Sequence, residues 1–208
     1  PLQWSLDRLY RRIKMSEVQA FGILKAIYEA MPAKDICWIA GGALRSYLVG
    51  DKVKDIDIFS ANPEKVLEAF RADNTFKAGF ENEYIANFYK DGLCYQVILK
   101  YKYSSPLETI NNFDFTIIAA AINQDGIIVD ERFYIDNAQK RLVVKSLPKP
   151  LSSVKRAMKY CGRGYHMCPV GLAKILKAIQ DNPIDWGDPK QNDIDFYPDG
   201  TPTFRGLD

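Results

Sequence analysis

ICWIAGGALRSYLVGDKVKDIDIF, residues 36–59, carries the reading of the whole chain. It opens on a short apolar run, Ile36 to Ala40, whose length and composition predict a buried strand. The run stops at Gly41–Gly42, after which Ala43, Leu44, Tyr47 and Leu48 recur at helical spacing, so the pattern is strand, tight turn, helix. A glycine pair lets the backbone approach a ligand with no Cβ in the way. The N–H groups at the helix start, with the positive end of its dipole, suit a phosphate. Arg45 follows one turn later, on the face expected to meet a triphosphate. Asp55-Ile56-Asp57-Ile58-Phe59 then alternates as a strand does, which puts both carboxylates on one face and the isoleucines on the other. Two neighbouring carboxylates repel, and solvent, a basic partner or a divalent cation would relieve them. Magnesium suits the pair because it takes one or two protein carboxylates and completes its shell with water and phosphate oxygens; manganese is the alternative.

Taken singly, a Gly-Gly pair reads as a loop and an Asp-x-Asp as a solvated edge strand. In this order and spacing they form a pattern that resembles the polymerase-β-like nucleotidyltransferases. More closely, GGALRSYLVGDKVKDIDIFSANPEKVLEAF is similar to the head domain of the tRNA CCA-adding enzymes and bacterial poly(A) polymerases, whose pattern is a G-G-x-x-R-D helix, a G-x-x-x-x-D-x-D strand and a helix opening near Pro-Glu. The resemblance implies an α+β fold, a small mixed sheet flanked by helices and followed by a short helical neck, with metal-bound aspartates facing the glycine turn.

Composition places the chain among ordinary globular proteins. At 208 residues with 47% hydrophobic and 26% charged side chains it can bury a real core. No apolar run approaches the roughly 20 residues of a membrane span, so a cytoplasmic protein is expected, with no membrane partner. The net charge of +2 gives no global attraction to nucleic acid, and any polynucleotide site must be a local patch. Four cysteines without C-x-x-C spacing and a single histidine argue against zinc.

Along the chain, Ser16 reads as the cap of a helix whose apolar stripe runs from Val18 to Tyr28, preceded by a basic cluster, Arg8, Arg11, Arg12 and Lys14, that reads as a solvated face or an RNA contact. Asn62-Pro63-Glu64 opens a helix to about Arg71. Residues 84–89 and 93–101 read as strands joined by a three-residue turn, Lys90-Asp91-Gly92, the second of them beside the Asp-x-Asp strand. Residues 116–122 and 127–130 close as a hairpin-like element, and 132–147 read as a connector. Leu147-Pro148-Lys149-Pro150 marks a boundary, giving a head over 1–147, a neck-like helical subdomain over 148–182 and an extended tail over 183–208. In the neck, Ser152 or Ser153 caps a helix to about Cys161, basic on one side and apolar through Val154 and Met158 on the other, and a last helix runs from Val170 to Ile179.

The resemblance assigns roles residue by residue. Asp55 and Asp57 would hold two magnesium ions and Gly41 and Gly42 would cradle the triphosphate of an NTP, ATP or CTP, with Arg45 and Lys54 offsetting its charge. Asp114, in Asn112-Phe113-Asp114-Phe115-Thr116, matches a ribose-contacting motif or supplies a substitute third carboxylate; read from the residues alone it is equally a turn acid. Arg156 and Lys159 sit at the spacing of the neck arginines that hold the incoming nucleotide. The family's glutamate on the strand beside Asp-x-Asp is Gln96 here, which keeps an oxygen and loses a charge. The implied function is metal-dependent transfer of an NMP to an acceptor hydroxyl, an RNA 3′ end first. The alternatives are a minimal toxin- or resistance-type nucleotidyltransferase acting on a protein, tRNA or small molecule, and a catalytically reduced nucleotide- or RNA-binding module.

Overall fold

A computed structural model describes residues 22–183, together with the backbone of 194–196 and 202–204. The predicted Ser16 cap, the basic cluster before it and most of the tail lie outside the described residues. The chain divides into two compact units. One holds the described residues up to Asn111 and Ile118–Phe133; the other holds Asn112–Ile117 and the described residues from Tyr134 on. The Pro-rich punctuation at 147–150 falls within the second unit.

The first unit is built on a mixed seven-stranded sheet. In chain order it contains helix α1 (residues 22–29), a 3-10 turn Lys34–Ile36, β1 (Cys37–Ala40), α2 (Gly42–Val49), β2 (Asp55–Ser60), α3 (Pro63–Ala72), β3 (Lys77–Glu81), β4 (Ile85–Lys90), β5 (Leu93–Lys102), α4 (Pro106–Asn111), β6 (Ala120–Asn123) and β7 (Gly126–Val129). The spatial order is β3-β4-β5-β2-β1-β6-β7, with β2 and β5 parallel and every other pair antiparallel. The fold class is therefore the expected α+β mixed sheet with flanking helices.

Period-two patterning sorts the two faces. Ile56 and Ile58 on β2 align with Tyr95 and Val97 on β5 and with Phe88 and Ala86 on β4, all buried. Helix α3 closes this face: its Asn62 cap accepts from Lys65 N–H, Pro63 occupies the first turn, and Phe70 meets Phe76 at 4.9 Å and Phe88 at 5.1 Å between ring centroids. The opposite face carries Asp55 and Asp57.

Several expectations need correction. The β4–β5 connection is a two-residue turn, because Asp91 and Gly92 both take positive φ (52° and 76°) while Lys90 still pairs with Leu93; that mirror-image turn matches the strand twist. Strand β3 was missed because all five of its residues are exposed and nothing alternates. The 116–122 run is a 3-10 turn, Thr116–Ile118, before β6 begins at Ala120.

Helix α5 (Phe133–Ala138), which lies in the second unit from Tyr134 on, occupies part of the predicted connector and is followed by α6 (Pro150–Cys161) and α7 (Pro169–Asp181). The connector reading failed because only Phe133 and Leu142 are buried apolar residues there, too few to make a period, and the other buried groups, Asp136 and Asn137, are polar. Thr116 Oγ donates to Asp136 Oδ2 at 2.7 Å, Asn137 Nδ2 to Ile117 O at 3.0 Å, and Tyr165 Oη to Asn137 Oδ1 at 2.7 Å. Satisfied in pairs, these groups can be buried without an apolar pattern. Helix α6 starts earlier than predicted, at Pro150, whose fixed φ suits a first turn. It also buries a different face: Ser152, Ser153, Ala157 and Tyr160 face inward while Met158 is 57% exposed. Ser153, read as a cap, instead donates its hydroxyl to Lys149 O at 3.1 Å. In the tail, β8 (Ile194–Phe196) pairs antiparallel with β9 (Pro202–Phe204).

Burial in the first unit sets an alkaline limit. The Cys37 thiol is pushed from 9.0 up to about 12 by burial, with Asp35 adding to it. A folded-state pKa above the unfolded one means the folded chain keeps a proton that the unfolded chain releases. Cys37 should therefore cost stability as pH rises from about 9 toward about 12, by up to roughly 1.4 kcal/mol per pH unit. Urea melts across that range should fall less steeply for Cys37→Ala than for the wild type.

Candidate nucleotidyl-transfer site

Strand β1 ends where β2 begins, because the two are antiparallel with Ile39 opposite Ile58. The Gly41–Gly42 turn that follows β1 and the aspartates that open β2 thus share one end of the sheet. Gly41 has φ 93° and ψ −137°, a conformation open essentially only to glycine, and its N–H is spent on Ala120 O at 3.0 Å. No side chain caps the first turn of α2. A Cβ added at Gly42 would meet nothing within 4 Å. The helix start is therefore open on that side.

Asp55 is exposed and Asp57 half-buried, on the same face, as expected from the alternation. The parallel β2–β5 register sets Cys94 beside Asp55 and Gln96 beside Asp57, and β4 adds Tyr89 and Asn87 to the same rows. Burial holds the Cys94 thiol above its usual value; a hydrogen bond from Tyr89 works against this and the Asp55 and Asp57 carboxylates work with it. Gln96 Nε2 donates to Asn87 Oδ1 at 3.0 Å. Carboxylate and amide oxygens are hard donors of the kind magnesium takes, so the residues present fit such a cation. Among the described residues no group of three His, Cys, Asp or Glu side chains converges on one point. Lys54 is exposed immediately before β2.

Arg45 departs from its expected position. Its side chain is 0% exposed, and its guanidinium donates to Asp51 Oδ2 and to Ser46 Oγ. The local sequence explains the burial. Gly50 takes φ 75° at the end of α2, the chain reverses, Asp51 N–H bonds Ser46 O at 2.9 Å, and the Asp51 carboxylate returns to Arg45. The arginine braces the loop between α2 and β2 from beneath.

In the second unit Asp114 is 3% exposed, and its carboxylate pairs with Arg156 Nε, while its carbonyl accepts Lys145 N–H at 2.8 Å. Lys159 lies one turn beyond Arg156 and is exposed. The pair ties α6 to the 112–117 segment. Arg156→Ala should cost about 3 kcal/mol because it leaves a buried carboxylate without its cation. Arg156→Lys should recover part of that in a denaturant melt. A nucleotide contact alone would leave the melt unmoved.

Sequence reasoning passed over Asp51 and Asn87. A two-residue turn at Asp91–Gly92, counted outward from the Lys90–Leu93 pair, would have set Asn87 opposite Gln96. Nothing in the one-dimensional pattern marks Asp51.

A family model described as Gabija anti-defense 2 family protein matches residues 15–140. The curated protein "Gabija anti-defense 2" of Bacillus phage SPbetaL7 is 28% identical over 154 residues, which is 71% of this chain and 38% of that one; the chain thus spans well under half of its relative's length. Among solved structures, a CCA-adding enzyme with ATP aligns at TM-score 0.63 and 19% identity, over 81% of this chain and 46% of its own. The corresponding complex with CTP aligns at 0.60 and 21%, over 82% and 46%. The Thermotoga maritima CCA-adding enzyme bound to tRNA aligns at 0.59 and 19%, over 81% and 45%. These likenesses establish the shared nucleotidyltransferase fold. No helix among the described residues is long and apolar enough to cross a membrane.

Proposed function

The chain belongs to the Gabija anti-defense 2 family, and from that premise we propose that it counters a bacterial defence through nucleotidyl transfer: an NMP moves from an NTP, ATP or CTP, to an acceptor hydroxyl, an RNA 3′ end before others. The observation that supports this most directly is the placement of Asp55 and Asp57 on one accessible face of β2, at the same end of the sheet as the uncapped glycine start of α2.

In the reaction the acceptor oxygen attacks the α-phosphorus, the bond to the β-phosphate oxygen breaks, pyrophosphate leaves and the hydroxyl proton passes to solvent. Asp55 and Asp57 would hold divalent cations, which when bound activate the acceptor hydroxyl and offset charge on the leaving group. The rest falls to the chain. The first-turn amides of α2 direct N–H groups at the triphosphate, the absence of a Cβ at Gly41 and Gly42 admits it, and exposed Lys54 contributes charge. Arg45 acts indirectly by fixing the loop that leads into β2. In the second unit, Asp114 holds Arg156 in place, and Arg156 and Lys159 are kept as the nucleotide-binding residues of that unit which the resemblance implies. Work of this kind is positioning and electrostatics.

Incubation with magnesium, each labelled NTP in turn, and a mixture of total RNA and cell extract tests the reading. Label entering RNA, protein or a small molecule identifies donor and acceptor together. Gln96 favours a second reading, a module that binds nucleotide without turning it over. NTP binding with no label transferred to any acceptor would select it.

A further inference from the structure

The end of the sheet away from Asp55 and Asp57 holds a cleft that the proposed reaction does not use. Because β1 and β2 are antiparallel, the start of β1 and the end of β2 lie together there, with Cys37 opposite Ser60. Around them stand the 3-10 turn Lys34–Ile36, the start of α3, the residues leading into α4 and the β6–β7 turn, all within the first unit. The cleft measures about 360 Å³, within the range of small-molecule sites. Its deeper polar groups are already committed. Tyr28 Oη donates to Lys34 O at 2.5 Å, Ser60 Oγ donates to Ile36 O at 2.7 Å and accepts Asn62 N–H at 2.9 Å, and Trp38 Nε1 donates to Thr109 Oγ1 at 2.9 Å. The first-turn amides of α3 are spent as well, Lys65 N–H on Asn62 Oδ1 and Glu64 N–H on its own carboxylate. A guest therefore meets apolar surface, from Ile36, Trp38, Ala61 and Pro106. At the rim Lys34 and Lys65 are exposed, and neither ammonium group makes an ion pair among the described residues. Asp35 also lines the cleft, so two ammonium groups face one carboxylate and a single positive charge is left over.

We propose that this cleft is a second binding site, for a small organic anion whose head rests on Lys34 and Lys65 and whose apolar body lies along Ile36, Trp38 and Pro106. The excess of one positive charge suits a singly charged head, a carboxylate or a phosphate ester. Two ammonium groups carried by separate elements, a turn and a helix, fix where that head sits, and the apolar wall gains by covering the body. Bound at the opposite end of β1 and β2 from the aspartates, the anion needs no divalent cation and leaves the glycine turn open.

The full chain in EDTA, with anilinonaphthalene sulfonate as an aromatic monoanionic probe, tests this. Probe fluorescence should rise saturably with folded wild-type protein. Affinity should fall about fivefold in Lys34→Ala and again in Lys65→Ala, since each removes one rim charge, and it should weaken as salt is added. Ala61→Trp should fill the cleft and abolish binding while magnesium-dependent NTP binding stays unchanged. Ala61 is exposed, so the fold should survive, which a urea melt checks; the two exposed lysine variants carry the test if it does not. Competition by a nucleoside monophosphate and by an aryl carboxylate tells the two kinds of head apart. Three results would overturn the proposal: no saturable binding, probe binding that the lysine variants leave unchanged or that Asp55→Ala/Asp57→Ala removes, and displacement by uncharged indole as strong as by either anion.

Discussion

Asp55→Ala/Asp57→Ala should lower NMP transfer by about a thousandfold or more, equivalent to some 4 kcal/mol of barrier, while leaving the protein folded. The size follows from the chemistry. If the two carboxylates hold the cations, their loss removes Lewis-acid activation of the acceptor hydroxyl and neutralisation of the leaving pyrophosphate in one step. Persistence of the fold follows from placement. Asp55 is exposed, Asp57 is half-buried, and the buried side of β2 is carried by Ile56, Ile58 and Ser60. Removing two like charges from one strand face also relieves repulsion, which offsets part of what Asp57's own contacts contribute, so the double variant should still fold. Label transfer and urea melts on the same preparations check both halves. A double variant that keeps its activity would remove these acids from the chemistry; one that unfolds would assign them a structural role.

The second large effect is on stability and centres on Arg45. Asp51→Ala should destabilise the protein by about 3 kcal/mol, far more than a residue with a side chain 37% exposed ordinarily commands. The reason lies in its partner. The Arg45 guanidinium has no accessible surface, so removing Asp51 takes one hydrogen-bonded carboxylate from a charge that water cannot reach. Arg45→Met keeps the volume and removes the charge, and should recover much of the loss when combined with Asp51→Ala. That non-additivity in denaturant melts is the signature of a buried pair. Because the pair fixes the loop entering β2, Arg45→Met should also weaken NTP binding modestly by loosening Asp55. A variant of unchanged stability that lost NTP binding altogether would return Arg45 to direct contact with the triphosphate.

Local rules were enough for much of the head. Ile36 to Phe59 contains its own strand, glycine turn, helix and alternating strand, and each of those signals depends on residues within a few positions of one another. The cap and proline of α3 are equally local. What escaped was long-range or polar. Strand β3 is defined by pairing with β4 and has no buried face of its own. Helix α5 is buried through Asp136 and Asn137, whose partners stand 20 and 28 positions away in the chain, so no periodicity announces it. The inward face of α6 was misjudged because Ser152 and Ser153 are buried and Met158 is not, a choice made by what packs on the helix.

The sequence by itself determined the chemistry on offer: two carboxylates on one strand face, a glycine turn that bares a helix start, a glutamine where a third acid would add charge. These are matters of residue type and of the two- and 3.6-residue periods, which need no partner to be read. Only the tertiary structure decided which groups those residues meet. Register across β2, β5 and β4 set Gln96 between Asp57 and Asn87. The reversal at Gly50 buried Arg45 against Asp51, and the packing of α6 committed Arg156 to Asp114. Charges separated along the chain find their partners through the fold, because burying an ion is tolerable only where folding brings a counter-charge to it.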